Sequence, residues 1–251
     1  MENKNIYYYE TLDSTNTQIG QMAIQGAEHG TVVVADKQTA GKGRRGRVWE
    51  SLSGENIYMS ILLRPEINVN QAPMITLVMA YSVVKAIRKL GFTEAQIKWP
   101  NDIVISGKKV CGILTEMFTK DTGIDYVVVG VGINVNTKGF SEEIKDTATS
   151  LYLISEVSVD KDALLEDILE RFWAEYERFL KTGNLSYLRE DYNEMLVNRN
   201  REVRVLEPSH EYVAYALGIN ELGELVVRTS KGNEQTVFAG EVSVRGVYGY
   251  V

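Results

Sequence analysis

The sequence predicts an α+β protein: a central mixed β-sheet flanked by helices, followed by a small all-β domain. Three observations carry this. β-Branched runs such as "TVVVADKQ" (31–38) and "IDYVVVGVGINVN" (124–136) read as buried strands. Apolar residues recur at helical spacing from Ala72 to Leu90 (Ile75, Val78, Met79, Val83, Ile87, Leu90) and again from Asp162 to Leu180 (Leu165, Ile168, Leu169, Phe172, Tyr176, Phe179). After about Arg199 the texture changes to short strands at regular spacing with turn signals between them.

Taken in order, "NIYYYE" (5–10) is a short strand, and "DSTNTQIGQMAIQG" (13–26) opens a helix with Asp13, Ser14 or Thr15 as its cap. "TVVVADKQ" and "NIYMSILLRP" (56–65) are strands on either side of a glycine-rich basic loop. The 72–90 helix follows. "QIKWPNDIVI" (96–105), a turn at "SGKK" and "VCGILTEMF" (110–118) read as strand, hairpin and strand, and 124–136 is another strand. The 162–180 helix precedes a shorter helical segment over 185–197. "REVRVLE", "EYVAYALGI", "GELVVRT", "QTVFAG" and "EVSVRG" then make a small barrel of SH3-like size. The expected division is 1–198 and 199–251.

The 251 residues are 44% apolar and 24% charged, ordinary for a soluble globular protein with ample core. A net charge of −7 argues against nucleic acid as a partner. One cysteine, Cys111, excludes an intramolecular disulfide and fits a reducing compartment; it reads as a small core residue. "MENKNIYYYE" shows no apolar leader, and the longest apolar runs are too short to cross a bilayer. The expectation is a cytoplasmic protein with no membrane contact.

Against this acidic background stands "TAGKGRRGRVWES" (39–51), with Lys42, Arg44, Arg45 and Arg47 close together. Gly41, Gly43 and Gly46 spell G-x-G-x-x-G. The dinucleotide-binding version of that pattern needs a helix to begin at its third glycine. Here "RVWESLSGENIYMS" leads into a strand instead. The kinase version needs His-Arg-Asp and Asp-Phe-Gly downstream, and neither is present. What remains is composition: glycines let backbone N–H groups approach an anion, arginines offer forked donors, and Trp49 supplies an aromatic face. The loop is expected to be mobile alone and ordered around a small anionic ligand.

Four further segments join this loop: "DSTNT" (13–17), "KWPND" (98–102), "GKKVCGILTE" (107–116) and "GVGINVN" (130–136). In their order and spacing they resemble the biotin protein ligase family, over nearly the whole chain. The resemblance implies a class II aminoacyl-tRNA-synthetase-like catalytic sheet with a C-terminal SH3-like domain. It also implies a two-step reaction, in which biotin and Mg·ATP give biotinyl-5′-AMP and pyrophosphate, and a lysine of a biotin carboxyl carrier protein then takes the biotin and releases AMP. ATP, Mg2+ and biotin are the implied small molecules, the carrier domain the implied protein partner, and a homodimer the implied assembly.

Carried over onto this sequence, the resemblance places Ser14, Thr15 and Asn16 on the biotin ureido ring. Gln38 stands on the same wall, and Gly41 and Gly112 approach the ligand closely, with Ile113 and Leu114 along its tail. Arg44 and Arg47 would engage the biotin carboxylate and the adenylate phosphate, with Trp49 stacked on adenine. Asn101 and Asn134 would face the nucleotide. Lys109 would meet the carboxylate and α-phosphate, with Asp102 as a catalytic group or a ligand to Mg2+ and Lys98 as a secondary candidate. Lys42 departs from the family, where an arginine is usual. On the residues alone, Ser14, Thr15 and Asn16 read as helix caps, Asn101–Asp102 as a turn, and Trp99 as core.

Three rivals follow. A lipoate–protein ligase shares the adenylation logic, but the basic loop with "KWPND" argues against it. A biotin-responsive repressor would need a winged helix-turn-helix before the catalytic residues, and the sequence begins its catalytic strands within ten residues. A non-catalytic biotin-binding module would not need Arg44, Asn101, Asp102 and Lys109 together.

Overall fold

A computed structural model of the chain describes residues 5–51, 54–121, 123–207, 210–240, 242–247 and 249–251. The first four residues read above for a leader, Leu52 and Ser53 after the basic loop, and Glu241 of "EVSVRG" lie outside the described residues.

The main sheet has seven strands: β1 (Ile6–Leu12), β2 (Val32–Gln38), β3 (Ile57–Leu63), β4 (Gln96–Lys98), β5 (Asp102–Ile105), β6 (Lys108–Lys120) and β7 (Gly123–Ile133), in the order β1-β2-β3-β7-β6-β5-β4. Only β1 and β2 run parallel; the other neighbours are antiparallel. Every residue of β3 is buried, because helices cover both faces of the sheet there. Ile57, Met59, Ile61 and Leu63 face a core shared with α2 (Ala72–Lys89) and α4 (Lys161–Thr182). Leu62 faces the other way, toward Ile19 and Ala23 of α1 (Thr15–Ile24).

α2 is buried nearly all round, since it lies between the sheet and α4. Its hydroxyls are satisfied locally: Ser82 donates to the Val78 carbonyl, Thr76 to the Thr115 hydroxyl, and Tyr81 to Asp191. α4 buries only the stripe foreseen from its periodicity, extended by Leu164. It begins at an Asp160 cap that accepts from the Asp162 and Ala163 amides and ends at Gly183 in the left-handed region.

Two expectations change. The stretch 96–105 is two strands: β4 and β5 pair antiparallel with Lys98 opposite Asp102, so "WPN" is the turn of a hairpin. Pro100 has no N–H for a ladder and a fixed φ, and the chain reverses there through a cis Trp99–Pro100 peptide. The segment 185–197 is helical only over α5 (Arg189–Met195). The Leu185 amide is held by the Glu221 carbonyl, and the Val197 amide by the Ile97 carbonyl at the edge of β4, so both ends are drawn out of helix. The short α3 (Leu151–Ser155), capped by Ser150, was not foreseen; five residues carry too little periodicity to register.

β8 (Arg201–Leu206), β9 (Glu211–Ile219), β10 (Leu225–Thr229), β11 (Glu234–Val237) and β12 (Ser243–Gly246) form the small antiparallel domain, ordered β11-β10-β9-β8-β12. Its buried side chains alternate along the strands (Val203 and Val205, Ala214 and Ala216, Leu225 and Val227). It is tied to the main sheet by the Trp99 indole donating to the Gly223 carbonyl and by Asn193, which exchanges two bonds with the Ile219 backbone. Trp99 is core, as read. Among the described residues no helix is long and apolar enough to cross a membrane.

Candidate active site

One face of the sheet carries the site. Cross-strand register aligns Tyr58, Gly132, Gly112 and Asp102 in one row, and Ser60, Gly130 and Leu114 in the next. The glycines leave the backbone bare where other side chains lie down upon it. A Cβ on Gly130 would stand 2.0 Å from Asn16 Oδ1, one on Gly132 2.6 Å from the Trp49 indole, and one on Gly112 2.7 Å from that same ring. "GVG" inside a strand therefore marks close approach.

The start of α1 covers one end of this floor. Ser14 sits at the N-cap position, yet its side chain makes no cap bond. Thr15 and Asn16 turn toward the sheet: Thr15 donates from N and Oγ1 to Gln38 Oε1, and Asn16 Nδ2 donates to Glu116 and the Leu114 carbonyl. Ser60 Oγ lies 2.8 Å from Thr15 Oγ1 and 2.6 Å from Asn16 Oδ1. Thr15, Asn16 and Ser60 are buried, Ser60 fully so, while Gln38 and Glu116 are half-buried. Burying such hydroxyls and amides is affordable only because they are mutually bonded. The capping reading thus gives way to a polar wall.

The basic loop is a small arm. Lys42 bridges Val48, the Gly43 amide donates to the Arg47 carbonyl, and the Trp49 amide to the Gly41 carbonyl. A Cβ on Gly41 would come within 2.6 Å of the Trp49 carbonyl oxygen, so the arm's hinge needs glycine. A 3-10 turn spans Arg44–Gly46, and residues 47–51 run on without a helix. Arg44 is anchored: one terminal nitrogen donates to Asn101 Oδ1, the other to the carbonyls of Ala239, Gly240 and Val242. Trp49 lies across Gly112 and Gly132, its Nε1 buried with no hydrogen-bond partner among the described residues.

The charged centre lies between them. Lys109 Nζ is 2.7 Å from Asp102 Oδ1, which also accepts from Asn101 Nδ2, while the Tyr250 hydroxyl donates to Oδ2. Lys109 reaches this face through a bulge: Cys111 pairs with Ile103 but Lys109 with Val104, so Val110 is the extra residue. Strict alternation would put Lys109 and Gly112 on opposite faces; the bulge brings them together. The 147–149 strip grips Lys109's amide and carbonyl from the other side.

Burial pushes the Asp102 carboxyl upward, but Lys109 and Lys98, with the bonds from Lys109 and Tyr250, outweigh it and hold it below the usual carboxylate range. Burial drives Lys98 down to about 8 despite Asp102, with Lys109, Arg245 and Arg47 acting in the same direction as burial. The same desolvation lowers Arg44 and, with Asp102, raises the Tyr250 phenol. Cys111 is fully buried and its thiol is pushed up, as expected of a core residue.

Three clefts meet at Lys109 and Trp49. The first, about 430 Å³, is lined by Ser14, Thr15, Asn16, Gln38, Arg44 and Gly112 among others, with Ile113 and Leu114. The second, about 670 Å³, lies between the loop, the "KWPND" turn and the small domain, and includes Arg47, Lys98 and Asp102. The third, about 560 Å³, holds Asn134 and Phe140 beside Trp49. Every position that the sequence places at the ligand lines one or more of these clefts except Gly41, which stands just behind, against Gln38 and Trp49. Asn134 spends its amide on the Thr149 carbonyl, so only part of it is free for a ligand. Sequence reasoning missed Ser60, Glu116 and Tyr250. Ser60 left one signal, a lone hydroxyl in the middle of an apolar strand.

No group of three or more His, Cys, Asp or Glu side chains able to hold a metal occurs among the described residues. Both Asp102 oxygens are already taken by donors. The residues do not form a resident metal site, and a magnesium role for Asp102 has no support in this geometry.

A glycine-floored cleft with a polar end and a cationic end suits a ligand with a hydrogen-bonding head and an anionic reacting centre, as in an acid-activating protein ligase. The chain belongs to the biotin/lipoate A/B protein ligase family: that family's model matches residues 8–134, and a biotin protein ligase C-terminal domain model matches residues 200–245. Among curated relatives it is 38% identical to the bifunctional ligase/repressor BirA of Bacillus subtilis over 233 residues, which is 91% of this chain and 71% of that protein. It is 30% identical to the biotin–[acetyl-CoA-carboxylase] ligase of Mycobacterium tuberculosis, over 91% of this chain and 85% of that one. The biotin protein ligase of Aquifex aeolicus, solved in complex with biotin and ATP, superposes with a TM-score of 0.85 at 32% identity, covering 97% of this chain and 99% of the other.

Proposed function

We propose that the protein is a biotin–protein ligase that activates biotin with Mg·ATP and passes it to a lysine of a biotin carboxyl carrier protein. The observation that carries the choice of biotin is the polar wall of the buried Ser14, Thr15, Asn16 and Ser60 with the half-buried Gln38. A ureido ring offers N–H donors and a carbonyl to such a wall. The dithiolane ring of lipoate offers neither, so it would gain no hydrogen bond from this wall. The biotin names of the relatives above support the same choice.

In the first step a biotin carboxylate oxygen bonds to the α-phosphorus and the bond to the β-phosphate oxygen breaks, releasing pyrophosphate. Mg2+ enters with ATP as part of that substrate. Lys109, placed where the three clefts meet, supplies positive charge at the reacting oxygens. Arg44 and Arg47 border the same space, and the Trp49 ring closes over it. Because Arg44 is bonded to Asn101 and three carbonyls in this structure, its phosphate-holding role requires it to exchange some of those bonds for the anion. In the second step the acceptor amine loses a proton, its nitrogen bonds to the biotinyl carbon, and AMP leaves.

The deciding measurement is ATP–pyrophosphate exchange with either acid. Exchange that depends on biotin and ignores lipoate, followed by label transfer to a carrier domain, is expected; dependence on lipoate would overturn the assignment. We further propose the division 1–198 and 199–251, supported by the C-terminal family match beginning at 200. A cytoplasmic setting is proposed from the single buried thiol. Homodimerisation is proposed through the free edge at β1, where Tyr7 and Tyr8 are exposed; sedimentation at varied concentration tests it.

A further inference from the structure

We propose that Tyr250, in the segment following β12, is a positioning residue of the ligase reaction, acting through Asp102 on Lys109. This rests on the ligase reading above. Val251 returns to Gly246 at the end of β12: a Cβ on Gly246 would stand 2.0 Å from the Val251 carbonyl oxygen, so only glycine admits this approach. The return carries Tyr250 out of its own domain and across to the β4–β5 hairpin. There its hydroxyl donates to Asp102 Oδ2, 2.5 Å away, while Asp102 Oδ1 holds Lys109 Nζ. The Tyr250 ring lies under Lys98 Nζ, 4.2 Å from the ring centroid. Tyr250 also lines both the second and third clefts, each of which includes Lys109.

The physical argument concerns rotation. A carboxylate bonded through one oxygen can swing about its χ2 axis. One bonded through both, to Lys109 and Asn101 on Oδ1 and to Tyr250 on Oδ2, is fixed in plane. A fixed Asp102 fixes the ammonium of Lys109, whose distance from the reacting oxygens sets its electrostatic contribution. The charged groups facing Asp102 and Tyr250 are Lys98, Lys109, Arg44, Arg47 and Arg245. Of these, Lys109 is already held on Oδ1, and Arg44 is bonded to Asn101 and three carbonyls.

Tyr250→Phe keeps the ring over Lys98 and removes only the hydroxyl. The expected result is a three- to tenfold fall in kcat for biotin-dependent pyrophosphate exchange. KM for biotin and for ATP should change less than twofold, and the circular dichroism spectrum should be unchanged. In an Asp102→Asn background the same substitution should change the rate by less than twofold, because its effect passes through the carboxylate. Gly246→Ala, which displaces the return path, should reproduce the loss. Independent, multiplying effects in the double-mutant cycle, or wild-type kcat in Tyr250→Phe, would overturn the proposal. The wild-type protein's biotin dependence, read in the same assay, tests the ligase reading separately.

Discussion

At the scale of single residues, the site is organised by what glycine omits as much as by what other residues supply. Gly130 and Gly132 are open because Asn16 and Trp49 lie directly on them. Gly130→Ala should push Asn16 off Ser60 and Glu116 and weaken biotin binding at least tenfold in calorimetry, with little change in secondary structure by circular dichroism. Lys109→Ala should lose most adenylation activity, measured by pyrophosphate exchange, while keeping much of the biotin affinity, since the polar wall is untouched. These residues were legible unevenly. Lys109, Asn16 and Gln38 were found through a resemblance of motifs. No reading of the sequence could show that a bulge at Val110 turns Lys109 onto the ligand face, because the alternation rule gives the opposite answer.

At the scale of elements, the helices and most strands were readable because their burial follows a single period. The α4 stripe is the clearest case, with the foreseen residues buried. The β4–β5 hairpin was readable only in part: Asn101–Asp102 reads as a turn, but nothing in 96–105 shows that its two short halves pair with each other. That hairpin is also a joint. Trp99 at its tip donates to the Gly223 carbonyl, and Asn198 receives the Trp99 amide. Asn193 makes the neighbouring link, its amide group bonded both ways to Ile219 and fully enclosed. Asn193→Ala would leave the buried Ile219 N–H and C=O without partners, a cost of about 1–3 kcal/mol per group. Chemical denaturation should show a lowered midpoint, and exchange activity at 25 °C should persist.

At the scale of the whole molecule, the active centre lies where the two sheets meet, and neither half contains it alone. The main sheet contributes Lys98, Asp102 and Lys109; the small domain contributes the carbonyls that hold Arg44, together with Arg245 and Tyr250. One consequence is a pH-dependent stability. Lys98 has an ordinary value of 10.5 and a folded value of about 8, so between these the unfolded chain binds more protons than the folded one. The penalty for burying its charge is complete below pH 8 and disappears as pH rises toward 10.5. The unfolding free energy should therefore gain up to about 3 kcal/mol from this group across that window. Lys98→Met should flatten the rise in urea titrations run from pH 7.5 to 10. A pH profile unchanged by the substitution would remove Lys98 as its source.

The dry indole of Trp49 has a use beyond the reaction. Of the three tryptophans, Trp99 is locked in the interdomain core and Trp173, a residue of α4, packs against His29 and Tyr176. Only Trp49 rides on the basic arm, its N–H buried with no hydrogen-bond partner among the described residues. Anything that enters beneath it, or lifts it from the glycine floor, changes the polarity around one chromophore while the other two stay still. The protein thus carries its own emission reporter, and the order in which its substrates arrive can be followed without a label.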